Sequence, residues 1–396
     1  MAALIEVAAS AKYFLGMPVE QFLREYWQKK PLLIRQAFPG YEAPLEPEDL
    51  AGLACEEAAL SRLVSYNRKK DAWSVRSGPF AEEEFPKLGK KDWTLLVQDM
   101  DKWDFDVRGL LDRFRFLPAW RVDDVMISFA TPGGSVGPHV DQYDVFLLQA
   151  QGHRHWQIDT NPKASKAFRP DVELKLLQTF KPSHDWVLAP GDMLYLPPGV
   201  PHHGEAVDAC MTFSIGMRAP SQSELIVDLA EELAASLPEE SRYGDPDLTE
   251  PDDAFEIDEA AFARVDAAIA VLQNLDAAKK REWFGRFITR YRASGEVSAA
   301  PRAPSLAVVE KALTEGGLLL RHPFARTAWA KTGKRAQLFV TGEAFTMSAA
   351  SARLLASYEA LDEAAFAKLD DSARETLETL IARGHYQLQR PSKSRR

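Results

Sequence analysis

The residues of this chain best suited to chemistry are His139 and Asp141, separated by Val140, and His202, which lies 61 positions after Asp141 at the end of Gly191-Asp-Met-Leu-Tyr-Leu-Pro-Pro-Gly-Val-Pro-His202. In an extended strand residues i and i+2 face the same side, so His139 and Asp141 can ligate one ion while Val140 packs behind them. A second strand must then supply His202. Two imidazoles and one carboxylate leave about three open positions on an octahedral metal, the arrangement of non-haem Fe(II) oxygenases, so the spacing points to dioxygen chemistry.

A lone histidine is more often structural than ligating, and the context is what sets this triad apart. Thr131-Pro-Gly-Gly-Ser-Val-Gly-Pro138 is a turn dense in glycine and proline that delivers the chain into the strand carrying His139. Gly191-Asp192 opens the apolar run Met193 to Leu196, which Pro197-Pro198-Gly199 ends just before His202. Each ligand is thereby expected where a loop meets a strand at the mouth of a β-barrel. His203 competes with His202, but adjacent strand residues point to opposite faces, and His202 is taken as the ligand.

Metal ligation does not separate an oxygenase from other metal-binding barrels, so a second binding signature is needed. Arg154 follows Asp141 by 13 residues, beyond the apolar run Val145 to Leu148 and the turn at Gly152, and can return on the next strand facing the same cavity. Its guanidinium offers a carboxylate a bidentate fork that lysine matches poorly. Ser128, on the strand before the metal loop, can add a hydroxyl to the same anion. The bland alternatives are a salt bridge for Arg154 and a solvent-facing position for Ser128. One of Gln142, Tyr143 and Asp144, directly after the ligands, can orient a cationic substrate.

The rest of the chain must build and hold this barrel. At 396 residues it exceeds one ordinary core and should form two or three domains, and 46% hydrophobic with 27% charged residues reads as soluble and globular. Two cysteines, Cys55 and Cys210, are too few for a disulfide framework. The first residues lack a basic region followed by an apolar core, and no run of about 18 apolar residues occurs, so a cytoplasmic location without membrane contact is expected. A net charge of −10 argues against a general nucleic-acid surface and suits a basic partner. Residues 231 to 260 carry 12 acidic side chains against Arg242 alone, with three prolines, which reads as a solvated linker.

From about 13 to 223, β-rich runs such as Pro31 to Ile34, Trp93 to Val97, Asp124 to Phe129 and Met211 to Ile215 alternate with turn clusters, the pattern of an antiparallel sandwich or jelly roll. Glu224 to Leu237, Glu259 to Leu275 and Arg281 to Tyr291 then show apolar residues at spacings of three and four, predicting a helical dimerisation module. After an Ala/Pro-rich link at 299 to 304 come a helix at 305 to 315, a strand at 337 to 341, helices over 348 to 357 and 363 to 383, a strand at 386 to 389 and an unstructured tail, Arg390 to Arg396. That order predicts a winged-helix module without a basic reading helix, a protein-contact domain more than a nucleic-acid reader. The expected domains are 1–223, 224–298 and 299–396.

The run from Asp124 to Phe146, Gly152-His-Arg-His-Trp156, Gly191 to His202 and Ser214-Ile-Gly-Met-Arg-Ala-Pro220 together resemble the bacterial ribosomal oxygenases, cupin-type Jumonji C enzymes. The resemblance implies an α+β chain: a double-stranded β-helix (jelly-roll) catalytic domain, then a helical dimerisation domain and a winged-helix domain. It puts His139, Asp141 and His202 on the family's iron ligands, and Arg154 and Ser128 on positions that hold 2-oxoglutarate. His153 and His155 flank Arg154 where similar enzymes carry arginines, and Ala130 stands where a small hydroxyl residue occurs.

The implied activity uses Fe(II), 2-oxoglutarate and dioxygen to hydroxylate a ribosomal protein, foremost carbon 3 of an arginine in large-subunit ribosomal protein number sixteen. A homodimer is implied, with no membrane and no direct nucleic-acid partner. The alternatives are the same chemistry on a histidine of another ribosomal protein, and a metal-binding cupin that is not an oxygenase.

Overall fold

The computed structural model describes residues 5–250, 255–272, 275–292, 295, 297–299 and 301–390, so the tail from 391 onward lies outside the described residues. The chain divides into two compact units, Met1–Ala219 and Pro220–Arg396.

The first unit contains the strands β1 (Glu6–Ala8), β2 (Leu32–Arg35), β3 (Ser61–Asn67), β4 (Ala72–Ser77), β5 (Trp93–Val97), β6 (Val122–Ala130), β7 (Val145–Gln151), β8 (Arg154–Ile158), β9 (His184–Leu188), β10 (Met193–Leu196), β11 (His202–Ala206) and β12 (Cys210–Met217). Nine of them form one sheet in the order β1-β2-β10-β7-β12-β6-β5-β3-β4, and β11-β8-β9 form a second. The strict alternation along each strand separates two environments. Val125 and Ile127 of β6, Phe146 and Leu148 of β7 and Phe213 and Ile215 of β12 face a core closed by Phe22, Leu50 and Phe114 from outside the sheet. Val145, Leu147, Leu194 and Leu196 face the other way and meet Trp156, Ile158 and Leu188 of the small sheet. The two sheets thus enclose a jelly-roll interior, and any even-numbered residue of β6 from Asp124 to Ala130 looks into it.

The strand expected around His139 is reduced to one antiparallel bridge with His202, in which each residue's N–H donates to the other's carbonyl at 3.0 Å. Pro132 and Pro138 lack the N–H that a ladder needs, and Gly133 and Gly137 adopt positive φ, so the segment bends around β11 instead of running straight along it.

In the second unit, Gln222–Ser236 begins with a capping box in which Ser221 accepts from the Glu224 N–H. Its Asp228 accepts from Trp283 Nε1 at 2.8 Å and from Arg290 at 2.7 Å, both on the helix Ala277–Arg290. That helix packs on strand Arg335–Val340 at Gly285, where a Cβ would fall 2.3 Å from the Phe339 ring. The helix expected over 259 to 275 is shorter, Glu259–Ile269 followed by a 3-10 turn. The single helix expected over 363 to 383 is two, Glu363–Phe366 and Asp371–Ala382, because Asp370 turns its carboxylate to the Ala373 N–H and caps a new helix. Two three-stranded sheets and these helices close over a core of Val309, Leu338, Leu355, Leu377 and Tyr386.

Candidate active site

His139, Asp141 and His202 converge at the mouth of the barrel, with one ligand atom from each lying within 4.8 Å of the others. The Asp141 carboxylate stands 3.9 Å from His139 Nε2 and 3.6 Å from His202 Nε2, too far to hydrogen-bond and close enough for one ion to bridge. Both Nδ1 atoms are occupied: His139 Nδ1 lies 2.9 Å from the Gly137 carbonyl and His202 Nδ1 2.9 Å from the Val200 carbonyl. A carbonyl can only accept, so each ring carries its proton on Nδ1 and turns the Nε2 lone pair toward Asp141. Burial, with His139 beside it, depresses the pKa of His202 to about 4 and keeps it neutral, the form that binds a metal. His202 is sealed from solvent whereas His139 and Asp141 are partly open, which leaves an accessible side for exchangeable ligands.

His203, the next residue on β11, points to the outer face and lines a different cavity. His153 and His155 pair with Asp208 at 2.8 Å and Asp185 at 3.6 Å, outside the group of ligand atoms.

Arg154 opens β8 and is 3% exposed inside the barrel, opposite Ala206 of β11. Its Nη2 donates to the Gly204 carbonyl at 3.1 Å and its guanidinium lies 5.1 Å from the Trp156 ring centroid. Nε and Nη1 have no hydrogen-bond partner, and burial pulls the group below its ordinary pKa, with the Cys210 thiol beside it opposing. Trp156 Nε1 and Thr94 Oγ1 are likewise buried without a partner. Ser128 lies on the same inward face, its Oγ only 3.5 Å from the Thr212 carbonyl and otherwise uncommitted. Buried donors without acceptors cost about 1–3 kcal/mol each, and a buried cation more, so this set is built for an occupant that supplies acceptor oxygens. A carboxylate satisfies it. Gly204 makes the space: a Cβ there would sit 2.7 Å from Arg154 Nε and 2.8 Å from the Trp156 ring.

Nearer the mouth, the inward row of β6 ends in Asp124, which sequence reasoning did not single out. Its carboxylate accepts from the Asp99 N–H at 3.1 Å, and burial pushes its pKa up to about 7, with Lys102 opposing and Asp99 and Asp123 reinforcing the rise. The Tyr143 hydroxyl is raised by burial and by the carboxylates of Asp141 and Asp124. The signal was present in the sequence, since Asp124 and Ser128 lie four apart on one strand face.

Asp144, by contrast, serves the fold. It is fully buried and accepts from Tyr195 Oη at 2.6 Å, Gln28 Nε2 at 2.9 Å and Arg121 Nη2 at 3.3 Å. Asp144→Asn should lower unfolding stability by about 1–3 kcal/mol, because one acceptor oxygen becomes a donor facing donors; a denaturant titration that superimposes on wild type would remove Asp144 from this role.

Residues 109–225 match the JmjC domain model and residues 271–387 the ROXA-like winged helix model. The ribosomal protein uL16 3-hydroxylase of Escherichia coli is 38% identical over 313 residues, covering 78% of this chain and 82% of that protein. A probable ribosomal oxygenase of Haemophilus influenzae is 44% identical over 208 residues, 52% of this chain and 51% of that one. Among solved structures, E. coli YcfD superimposes with a TM-score of 0.81 at 33% identity over 95% of this chain and 99% of that one. The same protein in complex with cobalt and 2-oxoglutarate matches with a TM-score of 0.79 at 32% identity, over 94% and 99%. With a relative this similar along most of both sequences, and with both of its domains matched, the chain belongs to the bacterial ribosomal oxygenases of the cupin-type Jumonji C family.

Proposed function

We propose that this chain is an Fe(II)- and 2-oxoglutarate-dependent dioxygenase that hydroxylates a ribosomal protein, and that its target is carbon 3 of an arginine in ribosomal protein uL16. The observation that carries the reading is the pairing, inside one barrel, of a His-Asp-His donor set at the mouth with a deeper group of buried donors that lack acceptors. The E. coli relative's name and the cobalt and 2-oxoglutarate bound by YcfD support it.

His139, Asp141 and His202 hold the metal, and Arg154 with Ser128 holds the far carboxylate of 2-oxoglutarate. Iron with 2-oxoglutarate and dioxygen supplies an oxidising power that no side chain possesses, placing hydroxyl on an unactivated carbon with succinate and carbon dioxide as co-products. The protein positions. The fixed Nδ1–H bonds of both histidines hold the metal-binding nitrogens on target.

Asp124 and Tyr143 receive the cationic target. A carboxylate that holds its proton to about pH 7 because it is buried recovers its charge when a guanidinium arrives, so binding expels a proton. The substrate KM should therefore fall about tenfold as pH rises from about 6 to about 8, and Asp124→Asn should raise KM and flatten that profile. A profile unchanged in Asp124→Asn would remove the assignment.

The chain acts as a homodimer in this reading. Ile226 and Val227 on helix Gln222–Ser236, and Phe262, Val265 and Ile269 on helix Glu259–Ile269, are all exposed, an apolar surface that a second copy would cover. Ile226→Asp with Val265→Asp should halve the mass seen by light scattering; an unchanged mass would move the contact elsewhere. No described helix is long and apolar enough to cross a membrane. We place the protein in the cytoplasm, where its substrate is made, without direct nucleic-acid binding.

The deciding experiment supplies anaerobically purified protein with Fe(II), 2-oxoglutarate, dioxygen and uL16. Succinate matched by a gain of about 16 dalton, one oxygen atom, supports the reading. Succinate release that accompanies oxidation of a histidine peptide from another ribosomal protein instead redirects the target, and no succinate with either overturns the oxygenase.

A further inference from the structure

Next to Asp124 lies a buried cluster of charges that the chemistry above does not use. Lys102, on the short helix Met100–Trp103, is 6% exposed and meets the carboxylates of Asp99 at 2.8 Å and Asp101 at 3.1 Å, both less than a tenth exposed. Its ammonium also donates to the Asp123 carbonyl at 3.0 Å, so all three of its protons have acceptors.

The cluster is tied to β6 at two successive residues. Asp101 accepts from the Val125 N–H at 2.9 Å, and the Asp99 N–H donates to the Asp124 carboxylate at 3.1 Å. Asp99 has a φ of +58°, in the left-handed region that aspartate and asparagine enter more readily than other side chains. Taking an ammonium out of water is costly unless a carboxylate pairs with it, and one suffices to cancel its charge. Lys102 has two, and with Asp124 this corner holds three carboxyl groups against one ammonium. The other charged groups nearby are already engaged. Asp123 pairs with Arg218 at 3.2 Å, Arg108 donates to the Asp101 carbonyl at 2.7 Å, and Arg62 of β3 acts on the Tyr143 hydroxyl, which also feels Asp124. Burial drives Asp124 toward its neutral form, Lys102 opposes this and Asp99 and Asp123 reinforce it.

We propose that Lys102 and Asp99 are positioning residues that set the charge Asp124 presents to the substrate guanidinium, Lys102 favouring the carboxylate and Asp99 the neutral acid. This rests on the reading of Asp124 as the group that receives the cationic target. The cluster holds Asp124 between its two forms, so that the arriving guanidinium itself completes the ionisation.

The test measures KM for uL16 from pH 6 to pH 9 with full-length wild type, Asp99→Asn and Lys102→Met, each checked for folding by thermal unfolding. Asp99→Asn keeps the backbone conformation and an acceptor for Lys102 and removes only a charge. Its KM profile should move about one unit toward acid, so that KM at pH 6 falls about fivefold. Lys102→Met should move the profile about one unit the other way and raise KM at pH 7 about fivefold. Both should leave kcat and the 2-oxoglutarate KM unchanged, and neither shift should survive in an Asp124→Asn background. A merely structural cluster gives no shifts of opposite sign. Should Lys102→Met not fold, Asp99→Asn decides alone. An Asp99→Asn profile that superimposes on wild type, or a shift that persists without the Asp124 carboxylate, overturns the inference and leaves the proposed function standing. A wild-type KM independent of pH, with hydroxylation intact, removes Asp124 from its role and this inference with it, and absence of hydroxylation by wild type overturns the function itself.

Discussion

Asp141→Ala yields a folded protein whose succinate release falls by at least ~10³-fold, because two imidazoles alone hold a divalent ion weakly and leave its charge uncompensated. Folding survives because the Asp141 side chain is partly exposed, while its main-chain carbonyl, which accepts from the Gly199 N–H at 2.7 Å, is untouched. The measurement is Co(II) or Fe(II) titration by calorimetry beside thermal unfolding of the metal-free protein. Metal binding should be lost or weakened by orders of magnitude while the melting temperature moves little. An Asp141→Ala protein that binds metal and turns over as wild type removes His139, Asp141 and His202 as the ligand set.

Arg154→Met produces two changes of opposite sign. Without ligand the protein becomes more stable, because a buried cation with two unpartnered nitrogens is replaced by an apolar chain of similar length. Gly204's carbonyl keeps a donor, Ser135 Oγ at 2.7 Å. A gain of about 1 kcal/mol appears as a rise of ~2–4 °C in melting temperature. Affinity for 2-oxoglutarate falls about a hundredfold or more, as expected for losing a buried bidentate pair, so the stabilisation that added 2-oxoglutarate gives wild type disappears. A merely structural Arg154 predicts the reverse: destabilised protein with unchanged 2-oxoglutarate response.

The two experiments probe different parts of the same barrel and fail independently. Loss of metal with normal 2-oxoglutarate binding locates the defect at the mouth; loss of 2-oxoglutarate binding with normal metal affinity locates it at the base. A cupin that is not an oxygenase loses metal on Asp141→Ala as an oxygenase does, but releases no succinate as wild type and shows no 2-oxoglutarate effect in the second experiment.

What the sequence determined was local. Strand period two put His139 and Asp141 on one side and separated His202 from His203, and the Gly/Pro turns marked where those residues meet the barrel mouth. Half of the strands of the first unit, β2, β5, β6, β7, β10 and β12, were legible from their apolar runs, and Arg154 from its place after a turn. The same reasoning drew a full strand at His139 where prolines permit only a bridge, and ran one helix through Asp370, whose carboxylate instead caps the start of a second. Tertiary structure alone decided which inward groups share a space. Trp156 reaches the interior beside Arg154 on β8, and Thr94 is set by the pairing of β5 with β6 opposite Ala130. Asp144, next in sequence to the candidate substrate residue Tyr143, is claimed by Gln28 and Tyr195, 116 and 51 residues away. The cavity that His203 lines is assembled from the β3–β4 hairpin, the segment from Gly133 to Pro138, Leu176 and β11, which are distant in sequence. Periodicity fixes the face a side chain takes on its own strand; its neighbours follow from register between distant strands, which is set by the packing of both sheet faces at once and has no local signature.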